Sequence, residues 1–451
     1  MELYHTILPI IPMVVLIVLT ICTKRILESA LVSLILAYLL ISPREILTNL
    51  SDGIFSTVVS DTYSFVLVAA GIMGIFIRLL QESGGTVGFG KLLGRFVDSG
   101  RKSLLATFIL GIIVFIDEYL NALVVTASMR NLTDQYKMPR IMLACTANSA
   151  GVPACIFAPI SVWALYYIAL ISDGGVLEGT GLTGLQMYIR VMPYMIYPAV
   201  FLFIFLLLVL GVFPKYGPMK RAFERAETTG DVFPESGCTG DKDEVVEEGH
   251  VAYFFVPMLT TVILAIVTGD IFISVLIGVL VISAMMIVTK KMTVSQTVDA
   301  ATEGLKDMVF VLLLLLILFT FTELCKDIGF TELAVNTVAG LVTAKMLPPV
   351  MFLIIAALAW VTNSYWATSA LCLPIVMELA QRLDVNVPLM LGVLISAAVF
   401  PATCAFGSEA LIMSSQAAQV QPAEVTLANL PYAFTALGIS TVIFGVLAFI
   451  V

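Results

Sequence analysis

Phe115-Ile116-Asp117-Glu118-Tyr119-Leu120-Asn121 sets two adjacent carboxylic acids and an amide inside otherwise apolar sequence. An ionised acid at the centre of a membrane span costs roughly 2.5–3.5 kcal/mol, so two together with no lysine or arginine beside them need compensation. A bound cation or a proton supplies it, and close carboxylates share protons rather than titrate independently. The alternative is a tip that reaches water, where both acids are merely solvated. Basic residues on either side decide how the stretch sits in a bilayer. Arg101 and Lys102 precede it, and Arg130, Lys137 and Arg140 follow. Basic residues gather on the cytoplasmic side, so residues 103–129 are expected to enter and leave by that one face as a re-entrant hairpin.

The rest of the chain has the same character. Of its 451 residues 60% are hydrophobic and 12% charged, with a mean hydropathy of +1.04. That composition cannot furnish the surface of a soluble domain and predicts an all-α polytopic membrane protein. Apolar runs fall at 6–22, 27–42, 58–80, 103–116, 141–171 and 189–213, and again at 251–268, 271–289, 308–325, 349–361, 366–380, 388–416 and 430–451. The first follows a start, MELYHT, without the basic region of a signal peptide, and reads as a retained first helix. Between the two sets lies a polar stretch, 214–250, holding Glu224, Glu227, Asp231, Glu235, Asp241, Asp243, Glu244, Glu247 and Glu248. Nine of the 32 acids behind the net charge of -9 thus sit in one solvated linker, and that charge says little about partners.

Two halves of similar hydropathy suggest an internal repeat: 1–213, a cytoplasmic acidic linker at 214–250, and 251–451. At an offset near 245, Arg78 and Glu82 followed by Gly84-Gly85 answer Glu323 and Asp327 followed by Gly329. With some drift, Asn148 to Pro153 answers Ser396 to Pro401. With the N-terminus outside, and five spans plus one hairpin per half, all but Arg44, Arg190, Lys326, Lys345 and Arg382 of the 23 basic residues face the cytoplasm. The expectation is two inverted-topology repeats with about ten transmembrane helices, two re-entrant hairpins and broken helices. The second hairpin, about 347–380, dips in from outside with its tip at Val361-Thr362-Asn363-Ser364-Tyr365. Both termini lie outside the cytoplasm, and the membrane is the cell (inner) membrane.

Hairpin tips that stop being helical at membrane depth must be buried in protein or line a wet cavity. The long runs 141–171 and 388–416 carry breakers of their own: Asn148-Ser149-Ala150-Gly151-Val152-Pro153, then Pro159 and Ser161, and in the second half Ser396 to Pro401, then Thr403, Cys404, Gly407, Ser408 and Glu409. A proline frees a backbone carbonyl that can become a ligand for a hard cation, although an ordinary proline kink is the alternative. Glu409 is a further acid deep in an apolar run. Arg78 with Glu82, four residues apart, reads as a structural pair. Trp163, Trp360 and Trp366 read as packing or interface anchors. Six of the seven cysteines lie unpaired in apolar stretches, and His5 and His250 lie outside the apolar runs. A disulfide framework, a zinc site and a haem are not expected, and without a GxxxxGK[ST] loop neither is a common ATP-driven pump.

Phe115-Ile116-Asp117-Glu118-Tyr119 through Arg130, Thr133-Asp134 and Ala158-Pro159-Ile160-Ser161-Val162-Trp163 resemble the NhaC family of Na+/H+ antiporters, as do Phe400 to Ser415 and Leu430-Pro431-Tyr432. The resemblance implies inverted repeats, two re-entrant hairpins, a scaffold that often dimerises and elevator-like motion of a transport domain. Residue by residue, the family's acidic motif matches Asp117 and Glu118, with its aromatic at Tyr119 and its amide at Asn121. Its small-residue and proline segment matches Ser149, Pro153, Pro159 and Ser161, with Asn148 where an aspartate is expected. Its Gly-Asp-His-Cys-Ser-Pro pattern is similar to Pro401-Ala402-Thr403-Cys404-Ala405-Phe406, with Ala402 and Thr403 in place of Asp-His. Ser408-Glu409 keeps the second acid.

These residues carry the functional expectation: a Na+-coupled secondary active antiporter (Na+/H+ exchange) moving its site by an elevator-like alternating-access mechanism. Ion or proton binding is expected at Asp117, Glu118, Asn121, Asn148, Ser149 and Glu409, with Na+ at Asp117, Asn148 and Asn363. Solute contacts are expected at Thr362, Asn363, Ser364, Pro153, Thr403 and Ser408. The two replaced titratable positions keep a second cargo open, a small organic acid or amino acid moved with Na+ or H+. The expected partners are the lipid bilayer, a small cation or small organic solute, and a second copy of the chain; no nucleic acid, no cofactor and no enzymatic activity are expected. A channel is disfavoured because paired hairpins and inverted halves suit alternating access.

Overall fold

Two helices rich in small residues, which let neighbouring helices approach closely, end up at the centre. The structure, a computed structural model, describes residues 10–450 apart from 24, 86, 89–91, 93–96, 174–175, 178–179, 234–248, 269 and 364. All regular structure among these is helical. The helices are α1 (Ile10–Thr23), α2 (Ile26–Ile41), α3 (Ile46–Val59), α4 (Asp61–Ser83), α5 (Gly100–Ile113), α6 (Thr126–Gln135), α7 (Arg140–Phe157), α8 (Val162–Asp173), α9 (Gly184–Val191), α10 (Ile196–Val209), α11 (Gly217–Thr229), α12 (Ala252–Thr268), α13 (Ile271–Val288), α14 (Val294–Asp327), α15 (Phe330–Leu341), α16 (Leu347–Thr362), α17 (Tyr365–Arg382), α18 (Val387–Cys404), α19 (Glu409–Ala417) and α20 (Pro422–Ile450).

The central pair is α7 and α18, buried along nearly their whole length. Helix α5 packs on α7, and α16 and α17 pack on α18; α10 and α20 each touch both central helices. A second layer is built from α4 against α14, with α12 and α13 beside it. Gly74 and Gly304 let α4 and α14 cross closely: a Cβ on Gly74 would lie 2.3 Å from the Gly304 carbonyl oxygen, and one on Gly304 2.5 Å from that of Gly74. Small residues serve this purpose in membrane bundles, where lipid offers no hydrophobic drive between helices.

Helix starts recur at one spacing. Gly100 and Leu347, Glu118 and Tyr365, Arg140 and Val387, and Val162 and Glu409 each stand 247 residues apart. Both expected hairpins are helix–turn–helix units, broken at residues 114–117 and at Asn363. Both long apolar runs are broken too, at residues 158–161 and 405–408.

Among the described residues, four helical stretches are long and apolar enough to cross a bilayer: Arg140–Ser172, Val294–Cys325, Val387–Ala417 and Pro422–Ile450. Shorter apolar helices accompany them, such as Leu27–Ile41, Phe272–Val288 and Leu347–Thr362. The polar stretch expected to be plain linker contains α11, whose Met219, Ala222 and Ala226 are buried against α20 and α7. Its amphipathic spacing was hidden by the acids around it.

Arg140 opens α7 and ties its start to the end of α19. It pairs with Asp134 (Nη2–Oδ2 2.7 Å, Nε–Oδ1 3.2 Å) and donates to the Gln419 side chain at 2.7 Å and the Ala418 carbonyl at 3.3 Å. Breaking a buried pair costs roughly 3–5 kcal/mol, less where one partner keeps solvent, as the 24% exposed Asp134 side chain does. Arg140→Met is thus expected to destabilise the protein by about 2–4 kcal/mol, seen as a lower thermal midpoint in detergent; an unchanged midpoint rejects this role.

Candidate functional site

The first tip is held open by its own side chains. After Ile113 the chain is extended, and Asp117 caps the short helix Glu118–Leu120 by accepting from the Leu120 amide at 2.8 Å. Asn121 reaches back, its amide nitrogen donating to the carbonyls of Gly111 (2.5 Å) and Val114 (2.7 Å), which the end of α5 would otherwise leave without donors. The Ile116 carbonyl accepts from the Val162 amide at 3.1 Å. Residues Asn121–Val125 form a π-helical turn, a distortion frequent at functional sites.

Each broken helix restarts on a serine cap: Ser161 accepts from the Ala164 amide at 3.0 Å, and Ser408 accepts from that of Leu411 at 3.3 Å while donating to the Ala402 carbonyl at 2.8 Å. The second tip turns at Asn363, whose φ of 52° lies in the left-handed region that asparagine tolerates. It packs against Gly407 of the second break.

The tips and breaks converge on one chain of hydrogen bonds. The Tyr365 hydroxyl donates to Glu118 Oε1 at 2.5 Å, the Tyr119 hydroxyl donates to Glu409 Oε2 at 2.5 Å, and the two phenol oxygens are 2.9 Å apart. Two carboxylates from distant parts of the sequence are thereby joined through two tyrosines. Glu118 is 2% exposed, whereas Glu409 faces a cavity. Trp163 stacks on Tyr365 (ring centroids 4.5 Å) and packs on Trp366 (4.9 Å). Its indole N–H faces Glu118 without closing a hydrogen bond of good geometry, as Glu118 Oε2 also fails to do. Trp163 and Trp366 are packing residues, as read, but packing of the site itself.

Asp117, Tyr119, Asn363, Tyr365, Ser408 and Glu409 line a cavity of about 420 Å³. Arg78 lines it too, held by Glu82 at 2.8 Å and near Asp307 at 3.9 Å. Behind the Ala402 wall lies a second polar cluster. Asn148, 1% exposed, donates to the Ala402 carbonyl at 3.4 Å, and Ser149 accepts from Asn429 at 3.4 Å. Thr403 bonds to the Phe400 carbonyl at 2.8 Å and to the Tyr197 hydroxyl at 2.6 Å. Pro153 sits in α7 four residues after Ser149.

Of the three residues expected to share Na+, Asp117 and Asn363 face the cavity, while Asn148 lies behind its wall. Thr362 turns its hydroxyl to the Leu358 carbonyl at 2.8 Å, and Ser364 lies outside the described residues. Among the described residues no three His, Cys, Asp or Glu side chains gather as a metal site. Sequence reasoning assigned no role to Tyr365 or Asn429; an amide at the edge of the last apolar run, two residues before Pro431, was the available signal for the latter.

Apolar helices of spanning length, wrapped around a buried acid–tyrosine cluster and a solute-sized cavity, define a multi-pass secondary transporter. Residues 154–449 match the model of the Na+/H+ antiporter family, and the chain belongs to that family. It is 26% identical to an uncharacterized protein of Haemophilus influenzae, over 94% of this chain and 88% of that one. Its fold is similar to that of the YdaH transporter of Alcanivorax borkumensis, with a TM-score of 0.64 at 13% identity and 89% of each chain covered. It is also similar to MtrF of Neisseria gonorrhoeae, described as one of a class of antimetabolite efflux pumps, with a TM-score of 0.58 at 13% identity and 89% of this chain and 83% of that one covered. At such identities the likeness is one of fold.

Proposed function

We propose that this chain is an NhaC-type antiporter of the inner membrane, within the ion transporter superfamily, that exchanges Na+ for H+ by elevator-like alternating access. Proton counting carries the reading. Three hydrogen bonds join Glu118, Tyr365, Tyr119 and Glu409, and two phenols supply only two protons. The third bond forms when one carboxyl is protonated, since an ionised carboxylate only accepts. A chain so built holds one transferable proton and reverses direction when that proton leaves from the other end. Neutralisation of such a cluster is what lets it change sides in a low-dielectric barrier.

The recurrent 247-residue spacing of helix starts supports two inverted repeats, 1–213 and 251–451, joined by 214–250. On this reading the shorter apolar helices complete about ten spans, both hairpins are re-entrant, the termini are extracytoplasmic, and the second helical layer is a scaffold that pairs with another copy. One observation favours the other cargo: a cavity of about 420 Å³ lies within the range used for small organic ligands, and it presents both Arg78 and Glu409. An amino acid or organic acid fits that pairing.

The deciding measurement is ion-gradient flux in proteoliposomes. Asp117→Asn keeps the helix cap, because asparagine caps as well as aspartate, yet removes a cavity carboxylate. It is expected to abolish Na+-driven proton exchange in a protein that still inserts; retained exchange rejects the assignment. Flux of a labelled amino or organic acid that requires the Na+ gradient moves the conclusion to the second cargo.

A further inference from the structure

Three buried asparagines, one on α7 and two packed against it, meet at its middle, and all use their side chains in the same one-sided way. Each donates its amide nitrogen to backbone carbonyls: Asn121 to Gly111 and Val114, Asn148 to Ala402 at 3.4 Å, and Asn429 to Thr403 at 3.0 Å. Each leaves Oδ1 buried without a partner. Carbonyls only accept, so these partners fix which end of each amide is nitrogen. A buried acceptor with no donor costs roughly 1–3 kcal/mol, and an ordinary core would not repeat that cost around one helix.

The three oxygens come from different elements. Asn121 packs against Gly151, one helical turn beyond Asn148 on the same face of α7. Asn429, on α20, reaches the neighbouring Ser149 hydroxyl at 3.4 Å. Pro153 lacks the N–H that would bond back four residues, so the carbonyl of Ser149 is released beside the asparagines. Unpaired oxygens and a proline-freed carbonyl buried inside a transporter are donors for a small hard cation.

We propose that Asn148 Oδ1, Asn429 Oδ1 and the Ser149 hydroxyl, with Asn121 Oδ1 one turn away, hold a dehydrated Na+ in a cage of neutral oxygens, apart from the Glu118–Tyr365–Tyr119–Glu409 proton chain. The inference rests on the Na+-coupled reading above and changes its arithmetic: cation and proton occupy different oxygens. The Ala402 carbonyl links the two sites, since it accepts from both Asn148 and Ser408, and Ser408 caps the helix that begins at Glu409. Drawing Asn148 onto a cation therefore bears on the start of α19, where Glu409 meets Tyr119.

The test is titration of the purified full-length protein with NaCl at constant ionic strength, choline replacing Na+, with binding read by calorimetry and by thermal midpoint. Asn429→Leu is expected to weaken Na+ binding more than tenfold. Asn429→Asp, which keeps the shape and adds a charge, is expected to bind Na+ at least as tightly as the parent, and together with Asn148→Ser, expected to weaken it, decides the matter if the leucine variant does not fold. Glu118→Gln is expected to retain saturable Na+ binding, its affinity shifted through the Ala402 link and not abolished. Na+ binding that is lost in Glu118→Gln, or unchanged in Asn429→Leu and Asn148→Ser, overturns the cage and leaves Na+ coupling standing. A parent protein indifferent to Na+ means that water alone fills the cage; that overturns the inference together with the Na+ half of the proposed function, and proton flux still tests the other half.

Discussion

Glu118→Gln is expected to reduce gradient-driven flux at least ~100-fold, the lower end of what one proton-transfer group contributes, and to leave the protein folded. Glutamine matches the carboxylate in shape, and its Oε1 can still accept from Tyr365, whose hydroxyl lies 2.5 Å away in the parent. What it lacks is a proton that comes and goes. Once position 118 carries an amide, that end of the chain is fixed and the only titrating carboxyl left in it is Glu409, so no proton passes from one end to the other. Stability should rise, because a buried acid with an unpaired Oε2 is replaced by a group with no charge to desolvate. Loss of flux with an equal or higher thermal midpoint identifies a transport residue; loss with a fallen midpoint marks a structural one. Flux above a third of the parent value removes Glu118 from the mechanism.

The polar tip and the breaks were legible because each interrupts apolar sequence with residues that cannot be there for packing alone. Asp117 and Glu118 in one tip, Asn363 in the other, and Ser161 and Ser408 at the breaks are local signals, and the helices stop where those residues stand, whereas Pro153 and Pro401, read as breakers, lie inside continuous helices. Partnerships were not legible. Tyr365 meets Glu118 across 247 residues and Tyr119 meets Glu409 across 290, and no local pattern marks a phenol as a bridge rather than packing. Matching by residue type also blurred the repeat. An offset near 245 aligned Arg78 with Glu323, although Arg78 lines the site cavity and Glu323 a different one, beside Tyr38 and Thr320. Helix starts keep a stricter spacing than side chains, which are free to diverge. Asn121 shows the same limit from another side. Its nitrogen closes the hairpin, a role set by carbonyls seven and ten residues upstream that no local pattern marks, while its Oδ1 stays unpaired.

Gly151→Ala is expected to lower flux about as severely as the loss of an acid, by a purely steric route. A Cβ at residue 151 would lie 2.4 Å from Asn121 Oδ1 and 2.9 Å from its Nδ2. The amide cannot swing aside cheaply, because it is pinned to the Gly111 and Val114 carbonyls and leaving them exposes two buried acceptors. Overpacking of this kind costs about 1–3 kcal/mol, and the strain falls on the turn that carries Asp117, Glu118 and Tyr119. Displacement by ~1 Å there is enough to cost about 100-fold in a geometry-dependent step. The strained alanine and the amide it strikes must couple, so the double variant is the sharper test. Asn121→Ala removes the atom that clashes, and Gly151→Ala with Asn121→Ala is expected to be no less stable and no less active than Asn121→Ala alone. Strictly additive losses in flux and thermal midpoint would show that residue 151 acts elsewhere than on the tip, and with it would go the claim that α7 sets the position of the acids.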